Sequence, residues 1–119
     1  MSNSEFWNIL DRSEEIELTV KGRTSGKNIS RPVWFVHESK VVYLLPVNGS
    51  DTEWYKNVLQ DPHMKISVNK KQFLGIGSPT RDENKVKIIA DKFRAKYNPE
   101  NVARYYFKLD AIVEFSLQE

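Results

Sequence analysis

LTVKGRTSGKNISRPVWFVHESKVVYLLPVNGSDTEWYKNVLQDPHM, residues 18–64, decides the fold, because strand-like alternation, a glycine-bracketed basic turn and an aromatic helix follow one another there without a spacer. At its start, Ile16, Leu18 and Val20 alternate with Glu17, Thr19 and Lys21, the period of a strand with one wet face. Gly22 ends that strand. The turn GRTSGKN holds two glycines, two hydroxyls and two cations in seven residues, a composition suited to exposed backbone N–H groups. The next run, Ile29 to His37, offers Val33 and Phe35 to one face and Trp34 and Val36 to the other. It is therefore expected to be a central strand or to lie against a ligand. Pro32 pulls the other way, since a proline cannot donate to a ladder and prefers an edge or a bulge. A hairpin through Glu38, Ser39 and Lys40 leads to a further strand, VVYLLPV.

Ser50 followed three residues later by Glu53 reads as a capping box, and Trp54, Val58 and Leu59 form the apolar stripe of a helix ending near Asp61–Pro62. Tyr55 is about 100° round from Trp54, off the stripe and beside the turn Ser50 to Thr52, where its hydroxyl is expected to border a pocket. Met64–Asn69 and Gln72–Ile76 read as a strand pair. Gly75 and Gly77 mark a place where another backbone or a ligand approaches closely.

Outward from this segment, Phe6, Ile9 and Leu10 share one face of a short helix behind Ser2 or Ser4 as caps. Val86, Ile89, Ala90, Phe93 and Tyr97 share one face of a long helix from Asp82. Asn98–Pro99 stops it and starts a short helical turn toward Tyr105. Ala111, Val113, Phe115 and Leu117 alternate in a last strand. The sum is a mostly β protein with peripheral helices, of α+β class, built on a six-stranded antiparallel barrel.

At 119 residues, 39% hydrophobic and 12% aromatic, the chain fits one folded domain, residues 1–119. A net charge of +2 provides no global field for nucleic acid or an anionic membrane, so any basic site must be local. With no cysteine, disulfides, thiolate nucleophiles and Cys-ligated metals are excluded. No signal peptide or apolar span appears, and a soluble cytoplasmic protein without membrane or nucleic-acid partners is expected.

Arg23, Lys27 and Arg31, together with Thr24, Ser25 and the N–H groups flanking Gly26, can surround a phosphate or carboxylate. A solvated hairpin accounts for the same residues. His37 and His63 have no companions at metal-ligand spacing, so no metal site is expected. The serines lack the context of a nucleophile elbow. Trp34, Tyr43, Trp54, Tyr55, Tyr105 and Tyr106 are core by default, though so many around a basic turn also suit a planar ring with an anionic tail.

The order GRTSGKNISRPVWFV, then VVYLLPVNGSDTEWYKNVLQDPHM, resembles the deazaflavin-dependent nitroreductase family, a branch of the FMN-binding split-barrel group that includes pyridoxamine-phosphate oxidases. The resemblance covers residues 16–69 and rests jointly on the Gly-Arg-x-Ser-Gly turn and the helix carrying Trp54, Tyr55, Asn57 and Pro62. It implies that Arg23, Ser25, Gly26, Lys27 and Arg31 approach the phosphate-bearing tail of a cofactor, while Pro32, Val33 and Trp34 line its ring. Ser50, Asp51 and Thr52 would offer N–H and hydroxyl groups to an anion or ring carbonyl. Tyr105 and Tyr106 correspond to tyrosines near the substrate.

The resulting expectation is an oxidoreductase that binds reduced coenzyme F420, or FMN, and transfers hydride to a small organic acceptor, probed with a nitro or enone compound. The rival is a non-catalytic split-barrel module that binds, stores or senses a flavin, heme or similar planar anionic ligand. Relatives of this fold commonly pair, so a homodimer is expected.

Overall fold

The computed structural model describes residues 4 to 118; Ser2, one of the two expected caps of the first helix, lies outside them. Helix α1 (Ser4–Asp11) buries Phe6, Ile9 and Leu10, the three residues that helical spacing puts together. Each contributes roughly 1.5–3 kcal/mol by leaving water. Strands follow as β1 (Ile16–Lys21), β2 (Asn28–Val33), β3 (Val36–Glu38) and β4 (Val41–Leu44). A single 3₁₀ turn, Gly49–Asp51, precedes helix α2 (Glu53–Gln60). Strands β5 (His63–Val68) and β6 (Lys71–Thr80), helices α3 (Glu83–Tyr97) and α4 (Pro99–Tyr105) and strand β7 (Ile112–Leu117) complete the chain.

The sheet has seven strands, one more than expected, in the order β2-β1-β5-β6-β7-β4-β3, with every pairing antiparallel. The extra strand arises because Ile29–His37 is broken at Trp34–Phe35 rather than running on as a central strand. Phe35 takes its hydrogen bonds from outside the sheet: its N–H donates to the Tyr97 hydroxyl at 3.1 Å, and its carbonyl accepts from Lys96 Nζ at 3.0 Å. The break has a topological consequence. β2 and β3 are opposite edges of the sheet, yet the chain passes from Val33 to Val36 in three steps, at most about 11 Å. The sheet must therefore curl until its edges nearly meet, which makes a half-barrel. Pro32 sits on the edge strand, as its missing N–H requires.

Two-residue turns close the β3–β4 and β5–β6 hairpins, with positive φ at Ser39 and Lys40 and at Asn69 and Lys70, the conformation that matches strand twist. One core fills the inside of the curl, where Phe6, Leu18, Phe35, Trp54, Tyr55, Val58, Ile66 and Phe115 pack together. A second lies outside, where α3 and α4 cover β3, β4 and β7 through Val36, Val86, Ile89, Phe93, Tyr97, Val102 and Ile112. Gly75 and Gly77 are close-approach positions filled from within the protein: a Cβ on either would collide with the Phe115 ring or the Met64 sulfur.

Two expectations about α2 are corrected. Thr52, not Ser50, occupies the N-cap, and no side-chain cap bond forms; Ser50 is drawn into the 3₁₀ turn and bonded elsewhere. Leu59, expected on the buried stripe, is 60% exposed, while Tyr55 and Asn57 are buried. An eight-residue helix docked at the mouth of a curl is enclosed on more than one side, so a single-stripe reading understates its buried arc.

Candidate functional site

The curl leaves a groove of about 500 Å³, within the range of small-molecule sites. Three segments distant in sequence line it: Glu15 and Arg31 to Trp34; Leu45, Val47, Thr52 and Trp54; and Tyr105 and Tyr106. Strand β2 positions the first wall, since its place at the edge of the sheet leaves Ser30, Arg31 and Pro32 exposed in succession. The break after Val33 then turns Trp34 toward α3, where its ring stacks on Tyr97 with centroids 4.3 Å apart and an interplanar angle of 6°. Tyr105 meets Trp34 edge-on at 5.5 Å and Tyr106 is tilted at 6.0 Å. An offset cluster of this kind holds aromatic faces in fixed orientations.

Behind Trp34, Tyr97 is anchored by its hydroxyl. That oxygen accepts from the Phe35 N–H, and it lies 2.7 Å from the Glu14 carbonyl and 3.0 Å from the Phe35 carbonyl. Burial pushes the Tyr97 hydroxyl well above the ordinary tyrosine range, against the backbone bond to Phe35 that lowers it. Lys96 lies 3.6 Å over the Phe35 ring and is pulled down from the usual lysine range by burial.

Tyr106 is the exception among these buried polar groups. It is 8% exposed, it lines the groove, and its hydroxyl makes no hydrogen bond among the described residues. Burial, then the neighbouring Tyr97, raises it strongly, so it stays protonated and can donate. The oxygen itself is not sealed off, the enclosed polar side-chain atom without a partner among the described residues being Trp7 Nε1, so the groove leaves the Tyr106 hydroxyl open to water or a ligand. Arg31 also makes no ion pair among the described residues.

The groove thus unites Arg31, Pro32, Val33, Trp34, Thr52, Tyr105 and Tyr106 of the expected site. Other expected residues are elsewhere. Arg23, Ser25 and Gly26 border a shallow cleft with Asp61 and Pro62 at the β1–β2 hairpin tip. There the Arg23 guanidinium donates to Asn57 Oδ1 at 2.7 Å and to Glu53 Oε1 at 2.9 Å, and through that bond and charge it holds the Glu53 carboxyl below its usual range. Ser25 Oγ accepts from the Lys27 N–H at 3.1 Å. Lys27 makes no ion pair among the described residues. Lys27 is in the turn before β2, four residues from Arg31 and so at most about 14 Å from it.

Ser50 and Asp51 face Lys108 and Asp110 rather than the groove. The Ser50 N–H and hydroxyl donate to the Asp110 carboxylate at 2.8 and 2.7 Å, and Lys108 donates to Asp51 at 2.9 Å. Tyr55 is as deeply buried as Trp54, yet Trp54 and not Tyr55 reaches the groove. Glu15, Leu45 and Val47 are lining residues that the sequence analysis does not single out, and no local pattern marks them. Trp54, one of the aromatics expected to suit a core or a planar ring, belongs to the inner core and reaches the groove wall as well.

Each histidine has an aspartate partner on the surface, His37 with Asp11 at 2.7 Å and His63 with Asp61 at 2.8 Å. No group of three metal-ligating side chains occurs among the described residues, and no described helix is long and apolar enough to cross a membrane.

Solved structures of similar fold come from proteins of several kinds. An F420-H2 dependent reductase, FDR-A, superposes with a TM-score of 0.67 at 18% identity, over 87% of this chain and 94% of that one. HutZ, a heme storage protein from Vibrio cholerae, gives 0.74 at 11% identity, over 98% and 90%. An FAD-binding protein from Mesorhizobium loti gives 0.72 at 11% identity, over 100% and 91%. At such identities the likeness is one of fold, the split barrel, and the resemblance read from the sequence holds at that level. No curated protein matches the sequence. The family model that does match, described as "Uncharacterized protein conserved in bacteria (DUF2255)", spans residues 8–111, from the middle of α1 to the start of β7, and the chain belongs to that family.

Proposed function

We propose that the groove binds the planar ring of a flavin-type cofactor, coenzyme F420 or FMN, and that the protein is an oxidoreductase acting on a small organic acceptor. The observation that carries this reading is the unpartnered Tyr106 hydroxyl inside a groove walled by Trp34, Trp54 and Tyr105. A ring carbonyl or nitrogen would satisfy that donor while the aromatic walls cover the ring. Arg31 at the sheet edge would take the first anionic group of the tail, with Lys27, in the turn before β2, at most about 14 Å away. The cofactor, when bound, supplies the hydride chemistry. The chain's own work is to orient the ring, exclude water from one wall and offer the Tyr106 or Tyr105 proton where charge develops on the acceptor.

Storage of heme in the same groove has less support. No histidine, cysteine or methionine lines it, and tyrosine ligation requires a phenolate, which burial of Tyr106 opposes. Titration with FMN and, separately, with F420 tests the reading. Binding of one of them should shift its absorbance and quench tryptophan fluorescence; failure of both at micromolar protein would refute it. Oxidation of the reduced cofactor by a nitro or enone acceptor then separates an enzyme from a binding module.

A homodimer remains our expectation. Val47, Tyr105 and Phe107 expose large apolar surfaces on one rim of the groove, Phe107 at 73%, and the Phe107 N–H donates to the Val47 carbonyl at 2.8 Å. Light scattering at micromolar concentration should return twice the monomer mass.

A further inference from the structure

We propose that Asp110 is a positioning residue of the groove: its carboxylate is a built-in anion that locks the turn carrying Val47 and Thr52 to the segment carrying Tyr105 and Tyr106, and so sets the spacing of two walls. Asp110 itself does not line the groove. Its Oδ1 accepts from the Ser50 N–H at 2.8 Å, and its Oδ2 accepts from the Ser50 hydroxyl at 2.7 Å and from Arg81 at 3.0 Å. Burial pushes the Asp110 carboxyl up, but the two Ser50 bonds, Lys108 and Arg81 outweigh it and hold the group ionised.

The surrounding chain is built to this contact. Gly49 has φ of +54°, and a Cβ there would collide with Asp110 Oδ1 and stand 2.9 Å from the Lys108 carbonyl oxygen. The two segments also join at an isolated bridge between Asn48 and Lys108 and at the Phe107–Val47 backbone bond. Within the turn, the Asn48 N–H donates to Thr52 Oγ1 at 2.7 Å, which ties the groove-lining Thr52 to the locked end. Backbone N–H and hydroxyl groups at such a turn are donors an exogenous anion would otherwise find. Here Asp110 fills that position, so a bound ligand's anionic end is left to Arg31 on the opposite wall. That orientation rests on the ligand reading above; the lock itself does not.

Amide hydrogen exchange at Ser50 and cofactor affinity, measured on Asp110→Ala and Asp110→Asn, test the proposal. Asp110→Ala is expected to speed Ser50 exchange and to weaken binding of whichever of FMN or F420 the unmodified protein binds by about tenfold or more, since small displacements of positioning groups are costly. Added formate, but not chloride at equal ionic strength, should partly restore both by re-entering the vacated carboxylate position. Asp110→Asn keeps the shape and one acceptor and should be intermediate, which keeps the test open if the alanine variant fails to fold. Faster exchange with unchanged affinity would reduce Asp110 to a purely structural contact and overturn the proposal, as would unchanged exchange. If the unmodified protein binds neither cofactor, the ligand reading fails by itself, while Ser50 exchange and its rescue by formate still decide whether the lock exists.

Discussion

The hairpin turn Gly22–Lys27 and the groove beside β2 both combine arginine with polar groups, and only in the first are those groups adjacent in the sequence. In the folded protein their availability is reversed. Arg23, the central cation of the turn, already has a carboxylate and a buried amide, Glu53 and Asn57, whereas the groove keeps an unpaired cation in Arg31 and an unpaired donor in Tyr106. The turn at Ser50 teaches the same lesson, because its donors are occupied by Asp110 from 60 residues away. A cluster of cations marks charge, while the hydrogen bonds left unmade mark a site for a ligand.

The strongest way to break the comparison is Trp54→Ala. Trp54 belongs both to the inner core and to the groove wall, so the change should cost about 3–5 kcal/mol of stability and remove cofactor binding together, as read by denaturant unfolding and titration. Loss of binding at full stability would show that the wall and the core are separable there.

Tyr97→Phe comes next. It strips the Phe35 N–H of its partner, at a cost of roughly 1–3 kcal/mol for a buried unsatisfied group, and should disturb the Trp34 stack. Alkaline titration sharpens the point. Tyr97 and Tyr106 are raised by burial above the ordinary tyrosine value of about 10, so their contribution to stability is complete below about pH 10 and is lost as pH rises through their folded-state values. The melting temperature should fall above pH 10, and less steeply in Tyr97→Phe and Tyr106→Phe.

Smaller effects divide the two regions cleanly. Tyr106→Phe and Arg31→Gln should each weaken cofactor binding by about 1 kcal/mol, with unchanged melting temperature, and Arg31→Gln should also flatten its salt dependence. Arg23→Ala should do the reverse, costing about 1 kcal/mol or less of stability while leaving affinity nearly intact. If instead Arg23→Ala removes binding at unchanged stability, the turn is the anion site and the comparison is inverted.

The sequence by itself determined whatever depends on local periodicity and backbone chemistry: the long helix with its five buried residues, and both hairpins. These follow from side-chain spacing and φ preference, which act over a few residues. Only the tertiary structure decided the rest. The break at Trp34–Phe35 depends on Tyr97, 62 residues away, supplying the bond that the ladder would have made. Ser50 leaves its expected capping role because Asp110 competes for its hydroxyl, and Leu59 yields its place to Tyr55 and Asn57 because the curl encloses α2 on more than one side. In each case a partner distant in sequence satisfied a polar group or covered an apolar one, and spacing along the chain carries no record of such partners.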